Sequence, residues 1–199
     1  MKIGILISGR GSNMTAIAEA VQSGLIFDSD VAVVISDKKG AEGLKKASER
    51  GIETVVVEKS GRKRAEHDAE IIAELKRRDV ELVCLAGYMR LLSPEFVRAF
   101  PNRIVNVHPS LLPSFKGLDA QRQAIEYGVR LSGCTVHFVD EDLDHGAIIL
   151  QKVVEVRDDD TAETLAARIL RFEHELYVEA LKKIVEGKIE FRGRRVYFR

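Results

Sequence analysis

Tryptophan is absent from the sequence, and Lys plus Arg (31) balances Asp plus Glu (31), leaving a formal net charge of zero. A chain built for nucleic acid shows a basic field and aromatic stacking groups, so nucleic acid is set aside and small molecules are expected as partners. Cysteine is scarce: Cys84 and Cys134 each lie in an apolar, strand-like run. Reduced core thiols of a cytoplasmic protein are therefore expected, not a disulfide or a nucleophile. No Cys-x-x-Cys or His-x-His occurs, so no metal-ligand spacing is visible. Apolar runs such as IGILI fall far short of the roughly 20 residues a membrane span needs. Met1 leads straight into a strand-like run with no basic and apolar leader before it, so no secretory signal is expected.

What is present is an alternation. Lys2 to Ile7, Val31 to Ser36, Glu53 to Val57, Val80 to Ala86 and Arg103 to Val107 read as strands. Between them, Met14 to Gln22, about Gly40 to Arg50, about Lys63 to Arg78 and a short stretch after Ser93-Pro94 read as helices. Near-continuous apolar strands alternating with helices predict an α/β chain with a doubly wound, mostly parallel sheet. Farther on, a helix near Gln121 to Tyr127 precedes two strands, Ser132 to Val139 and Ala147 to Val156, joined by the acidic turn DEDLDHG as an antiparallel part. A long helix from about Ala162 to Glu186 ends at Gly187, and KIEFRGRRVYFR reads as a closing hairpin. One domain over residues 1–199 is expected, with halves of about 1–100 and 101–199.

Three stretches fall where such a sheet builds its site, beyond the carboxyl ends of strands. SGRGSN joins the first strand to the first helix, and unpaired N–H groups there suit a phosphate. As a dinucleotide fingerprint it is incomplete, because Met14 stands where a third glycine belongs, and it lacks the Gly-Lys-Ser/Thr of a P-loop. A monophosphate site and a plain tight turn both remain open. In VNVHPSLLPSFKG, strand alternation puts Asn106 and His108 on one face at the strand's end. An amide donor beside an imidazole supplies what a developing oxyanion and a moving proton require. In DEDLDHG, Asp140, Glu141, Asp142 and Asp144 cluster before His145. A hard cation, an acid that orients His108, or a solvated turn each accounts for it, though the spacing is not that of an EF-hand. His67 is expected to be exposed on a charged helix, His137 to support the site or satisfy the core, and His174 to be structural.

ISGRGSN, LAGYMRLLSPEF, NVHPSLLPSFKG, GCTVHFVDEDLDHG and RFEHELY, in this order over nearly the whole chain, resemble the glycinamide ribonucleotide transformylases, the phosphoribosylglycinamide formyltransferases. The resemblance implies a Rossmann-like formyltransferase fold, with a phosphate-binding first half and a folate-binding, catalytic second half. It implies transfer of a formyl group from 10-formyltetrahydrofolate to the glycyl amine of glycinamide ribonucleotide, in de novo purine biosynthesis in the cytoplasm. By position, Asn106, His108 and Asp144 match the family's catalytic trio. Gly11, Ser12 and Asn13 match its phosphate site, and Glu173 the acid on the ribose hydroxyls. Arg64, Met89, Arg90 and Leu92, with the turn from Asp140 through Glu141 to Leu143, match its folate contacts. No metal is implied, and neither nucleic acid nor a membrane; a homodimer is left open.

Two departures stand out: Leu170 replaces a glutamine that some members place near the substrate, and His145 is unexpected beside Asp144. Methionyl-tRNA formyltransferases resemble the Asn-x-His and SLLP segments but add a C-terminal domain and an Arg-Gly-x-x-Pro run, where this chain has Phe115-Lys116-Gly117-Leu118-Asp119. Formyltetrahydrofolate deformylases carry an N-terminal regulatory domain for which Met1 is expected to leave no room. A binding module without catalysis gives no reason for Asn106, His108 and Asp144 to co-occur.

Overall fold

KIGILI forms the first strand, β1 (Lys2–Ile7), and buries every residue after Lys2, as a strand covered on both faces must. In the computed structural model, which describes residues 1–199, it is followed by α1 (Ser12–Gln22), β2 (Asp30–Ser36), α2 (Glu42–Glu49), β3 (Thr54–Val56), α3 (Arg64–Arg77), β4 (Leu82–Leu85), α4 (Pro94–Ala99) and β5 (Ile104–His108). Tertiary contacts divide the chain into two compact units, Met1–Asn106 and Val107–Arg199, and β5 crosses from one into the other.

In the first unit the strands lie in the order β3-β2-β1-β4-β5, and every pairing between neighbours is parallel. Ile3, Ile5, Leu6, Val33, Val34, Leu82 and Val83 are buried, each contributing about 1.5–3 kcal/mol of transfer free energy relative to exposure. After β1 the chain winds outward through β2 to β3, then returns to lay β4 on the other side of β1. That reversal leaves a crevice at the carboxyl ends of β1 and β4, the switch point where open α/β sheets take ligands. The two strands' following loops meet there, with Ser8 N–H donating to the Gly87 carbonyl (3.1 Å) and Met89 N–H to Ser8 Oγ (2.9 Å).

The second unit holds α5 (Ala120–Tyr127), β6 (Leu131–Phe138), β7 (Ile148–Glu155), α6 (Ala162–Val185) and the hairpin β8 (Ile189–Arg192) and β9 (Arg195–Phe198). β6 and β7 pair antiparallel from Leu131↔Glu155 to His137↔Ile148, with an irregularity between Val136 and His137. The 24-residue α6 is capped by Thr161, whose Oγ accepts from Thr164 N–H (3.3 Å), and Arg168 grips Asp160 just before the cap. Its buried stripe, Leu165, Ile169, Glu173, Leu176, Tyr177, Ala180 and Leu181, recurs every three or four residues and packs on β6 and β7. The α/β, mostly parallel, Rossmann-like expectation holds, as does the antiparallel C-terminal part with its hairpin. No helix is long and apolar enough to cross a membrane.

Three local expectations need correction. α1 starts at Ser12, not Met14, because Gly11 takes the left-handed conformation (φ 70) as its N-cap. β5 runs to His108, one residue past the expected end. His67 is buried, not exposed: with Ile71 and Leu75 it repeats every four residues and faces inward, and its Nε2 lies 2.7 Å from the Val57 carbonyl. The neighbouring Asp68 is buried too and accepts from Ser93 N–H at 2.6 Å, which ties α3 to the start of α4.

Candidate active site

The glycine turn after β1 is shaped by a close approach of backbones. A Cβ on Gly11 would lie 2.7 Å from Gly43 Cα in the first turn of α2, and Gly43 N–H donates to the Gly9 carbonyl (3.0 Å). Gly11 therefore needs to be glycine twice over, for its φ and for its space. The turn delivers Ser12 and Asn13 as the first residues of α1, where N–H groups have no intrahelical acceptor; Thr15 N–H is the first to bond back, to the Gly11 carbonyl (2.9 Å). Such an end binds anions through N–H groups and dipole without an ionised side chain.

Also in the first unit, Met89, Arg90 and Leu92 lie on the loop after β4 that Ser8 anchors, with Met89 66% exposed and Arg90 and Leu92 half-buried. Tyr88 turns inward beside them, and burial, with Asp37 and Asp68 adding to it, holds its phenol protonated far above the ordinary range. Arg64 is the exposed first residue of α3. Asn106, half-buried, is the last residue of this unit and stands opposite Leu85 of β4.

His108, two residues along β5, lies at the start of the second unit, and its side chain leaves the strand on the same face as that of Asn106. The ring is buried with both nitrogens facing acceptors: Nε2 lies 2.8 Å from the Phe115 carbonyl, and Nδ1 3.4 Å from Asp144 Oδ2. A neutral imidazole can donate to one of these; an imidazolium satisfies both. Asp144 is itself enclosed, its side chain 8% exposed. Its Oδ2 also accepts from Gly117 N–H (2.8 Å), and its Oδ1 lies 3.9 Å from Nε2 of His137. Burial lowers the pKa of His137, with the Phe138 carbonyl and Asp144 opposing, so the ring beside Asp144 is biased to neutrality.

The turn that carries Asp144 is tight. Asp144 adopts φ 45, which costs a non-glycine residue of order 1–3 kcal/mol and persists only where the surroundings impose it. Gly146 makes this possible: a Cβ there would lie 1.9 Å from the Phe138 carbonyl oxygen. Asp140 Oδ1 accepts from Asp142 N–H (3.1 Å), while Glu141 and Leu143 are exposed at the tip. No group of three His, Cys, Asp or Glu side chains in the structure could hold a metal ion. Glu173 lies buried on α6, close enough to Cys134 for its charge to act on the thiol. Burial, with that charge, pushes Cys134 up to about 12, so it is no thiolate nucleophile at neutral pH. Leu170 is half-buried one turn earlier.

Of the residues singled out in the sequence, the structure brings His108 and Asp144 together directly, and Gly11, Ser12 and Asn13 at one helix end. Sequence reasoning missed the backbone partners, the Phe115 carbonyl and Gly117 N–H, because any residue type carries such groups. It read SGRGSN for its glycines and helix end and missed that Ser8, its first residue, accepts from Met89 N–H.

The formyl transferase family model matches residues 1–181. The structure of glycinamide ribonucleotide transformylase 1 from Symbiobacterium toebii superposes with a TM-score of 0.97 at 48% identity, over 100% of this chain and 93% of that one. The phosphoribosylglycinamide formyltransferase of Bacillus subtilis is 40% identical over 185 residues, 92% of this chain and 94% of that protein. The trifunctional purine biosynthetic protein adenosine-3 of Gallus gallus is 44% identical over 191 residues, which are 96% of this chain; the chain spans 19% of that protein's length.

Proposed function

The chain belongs to the formyl transferase family, and from that premise we propose that it transfers the formyl group of 10-formyltetrahydrofolate to the amine of glycinamide ribonucleotide, giving formylglycinamide ribonucleotide and tetrahydrofolate in purine biosynthesis. The observation that carries the reading is His108, whose two ring nitrogens both face acceptors, Asp144 being one of them. The relatives that match nearly end to end are named for this reaction.

The roles follow from chemistry. The substrate's uncharged amine attacks the formyl carbon, and the carbonyl oxygen gains negative charge in a tetrahedral intermediate. Asn106 donates an amide N–H to that oxygen, and protonated His108 donates Nε2–H to it once substrate replaces the Phe115 carbonyl as acceptor. Asp144 keeps His108 protonated across the 3.4 Å contact and, through water, takes the proton that the amine sheds. That proton reaches N10 of the folate as the C–N bond breaks, so formyl moves to the new nitrogen and tetrahydrofolate leaves neutral at N10. Gly11, Ser12 and Asn13 hold the substrate's phosphate at the start of α1, and Glu173 its ribose hydroxyls. Met89, Arg90 and Leu92 with Asp140, Glu141 and Leu143 take the pterin, and Arg64 lies near the cofactor. The reaction is assigned to the cytoplasm and needs no metal, nucleic acid or membrane.

The test is to follow 10-formyltetrahydrofolate consumption spectroscopically with and without glycinamide ribonucleotide, in the presence of chelator. Turnover that requires the amine and ignores the chelator is the expected result. Consumption without the amine would identify a deformylase, and none in either case would return the chain to a binding role.

A further inference from the structure

The C-terminal hairpin and His145 have no part in the chemistry above, yet they meet at the turn that holds Asp144. Arg194, at the tip between β8 and β9, reaches His145 with both Nη atoms: Nη2 donates to the His145 carbonyl at 2.5 Å, and Nη1 faces the ring, closest at Nε2 and 3.2 Å from Nδ1. A guanidinium only donates, so the nearer ring nitrogen, Nε2, accepts from it, and the N–H on Nδ1 is left for an acid. Nδ1 indeed lies 2.8 Å from Asp140 Oδ2 and 3.7 Å from Asp142 Oδ2. The imidazole thus ties the beginning of the turn to its end, and Arg194 ties that end to the hairpin.

The hairpin is in turn fastened to the strands below it. The ring of Phe191 packs on that of Phe138, the last residue of β6, with centroids 4.7 Å apart, and β9 packs against β7. The brace is therefore attached to both strands that support the acidic turn. The carbonyl it grips, in the peptide joining His145 to Gly146, lies one residue past Asp144, whose φ of 45 must be imposed from outside. On its other side Asp144 has three partners, Gly117 N–H, His108 and His137, none of which restrains the main chain of the turn.

We propose that Arg194 is a positioning residue: acting through His145, the C-terminal hairpin braces residues 140–146 and sets the distance between the Asp144 carboxylate and His108. This rests on the function proposed above. A planar two-pronged donor is required, since the carbonyl and the ring nitrogen are held at once; lysine offers a point charge on a flexible stem and meets one of them. The exposed position of Arg194 leaves the folded core untouched by its replacement.

The experiment compares the unsubstituted protein with Arg194→Ala and Arg194→Lys by steady-state kinetics and by hydrogen exchange of the peptide spanning residues 140–146 without ligand. Arg194→Ala is expected to lower kcat about tenfold to a hundredfold, the scale of an ångström-sized misplacement. KM for glycinamide ribonucleotide stays within about twofold, exchange across the turn quickens, and Arg194→Lys recovers part of both. Unchanged kcat, unchanged exchange, or a loss shared equally with KM overturns the proposal. If the unsubstituted protein shows no turnover, the functional reading falls instead, and unchanged exchange in Arg194→Ala still refutes the brace.

Discussion

Two turns of similar length, residues 8–13 in the first unit and 140–146 in the second, solve opposite problems with the same residue. Each relies on a glycine where a Cβ would strike backbone, Gly11 against Gly43 and Gly146 against Phe138. The first uses the room to present N–H groups at a helix end, which carry no titratable charge. The second uses it to fold a carboxylate inward onto an imidazole, at φ 45 and with the side chain enclosed. Binding built from backbone depends on conformation and is indifferent to pH. Chemistry built from buried side chains depends on protonation and on whatever holds the chain in place.

The contrast breaks most severely at Asp144. Asp144→Asn keeps the shape but removes the carboxylate that faces His108 Nδ1 at 3.4 Å, and kcat is expected to fall about a hundredfold to ten-thousandfold with little change in KM, read by single-turnover formyl transfer. Gly11→Ala is the matched change in the other turn, forcing a side chain into a left-handed position 2.7 Å from Gly43 Cα. There KM for glycinamide ribonucleotide is expected to rise about tenfold or more while the pH profile of kcat stays as it was; a changed profile would mean the two turns are not separable in this way.

A smaller effect is expected at Asp68→Ala, which leaves the buried Ser93 N–H without its 2.6 Å acceptor. Urea unfolding should show a loss of about 1–3 kcal/mol. The smallest effect concerns pH. Burial depresses the folded-state pKa of His137 below its unfolded value near 6.5, so between the two values the unfolded chain binds more protons. The stability this neutral ring provides is complete above about pH 6.5 and is lost as pH falls towards the depressed value. Thermal midpoints of the protein and of His137→Asn, compared between pH 7 and 5, should converge as pH drops; parallel curves would exclude it.

Much of this was legible in the residues. The five strands of the first unit, β6, β7, the long α6 and the hairpin lie within a few residues of where apolar periodicity puts them, because strands buried on both faces and a helix with one buried stripe leave plain patterns. The burial of His67 is hard to read from the sequence because its helix is rich in charged residues and even its inward face carries Asp68 beside His67, Ile71 and Leu75. The place of His145 was out of reach because its partner lies 49 residues away in Arg194.

The sequence by itself determined the α/β alternation, the glycine turn at a helix start, and the pairing of Asn106 with His108 on one strand face, since each follows from spacing along a regular element. The tertiary structure alone decided that Asp144, of four acids in its turn, is the one that meets His108, at 3.4 Å. It also decided that the Phe115 carbonyl and Gly117 N–H complete their hydrogen bonds, and that a hairpin braces the turn from outside. Those choices depend on backbone groups and on residues distant in sequence, which side-chain identity does not encode until the chain has folded.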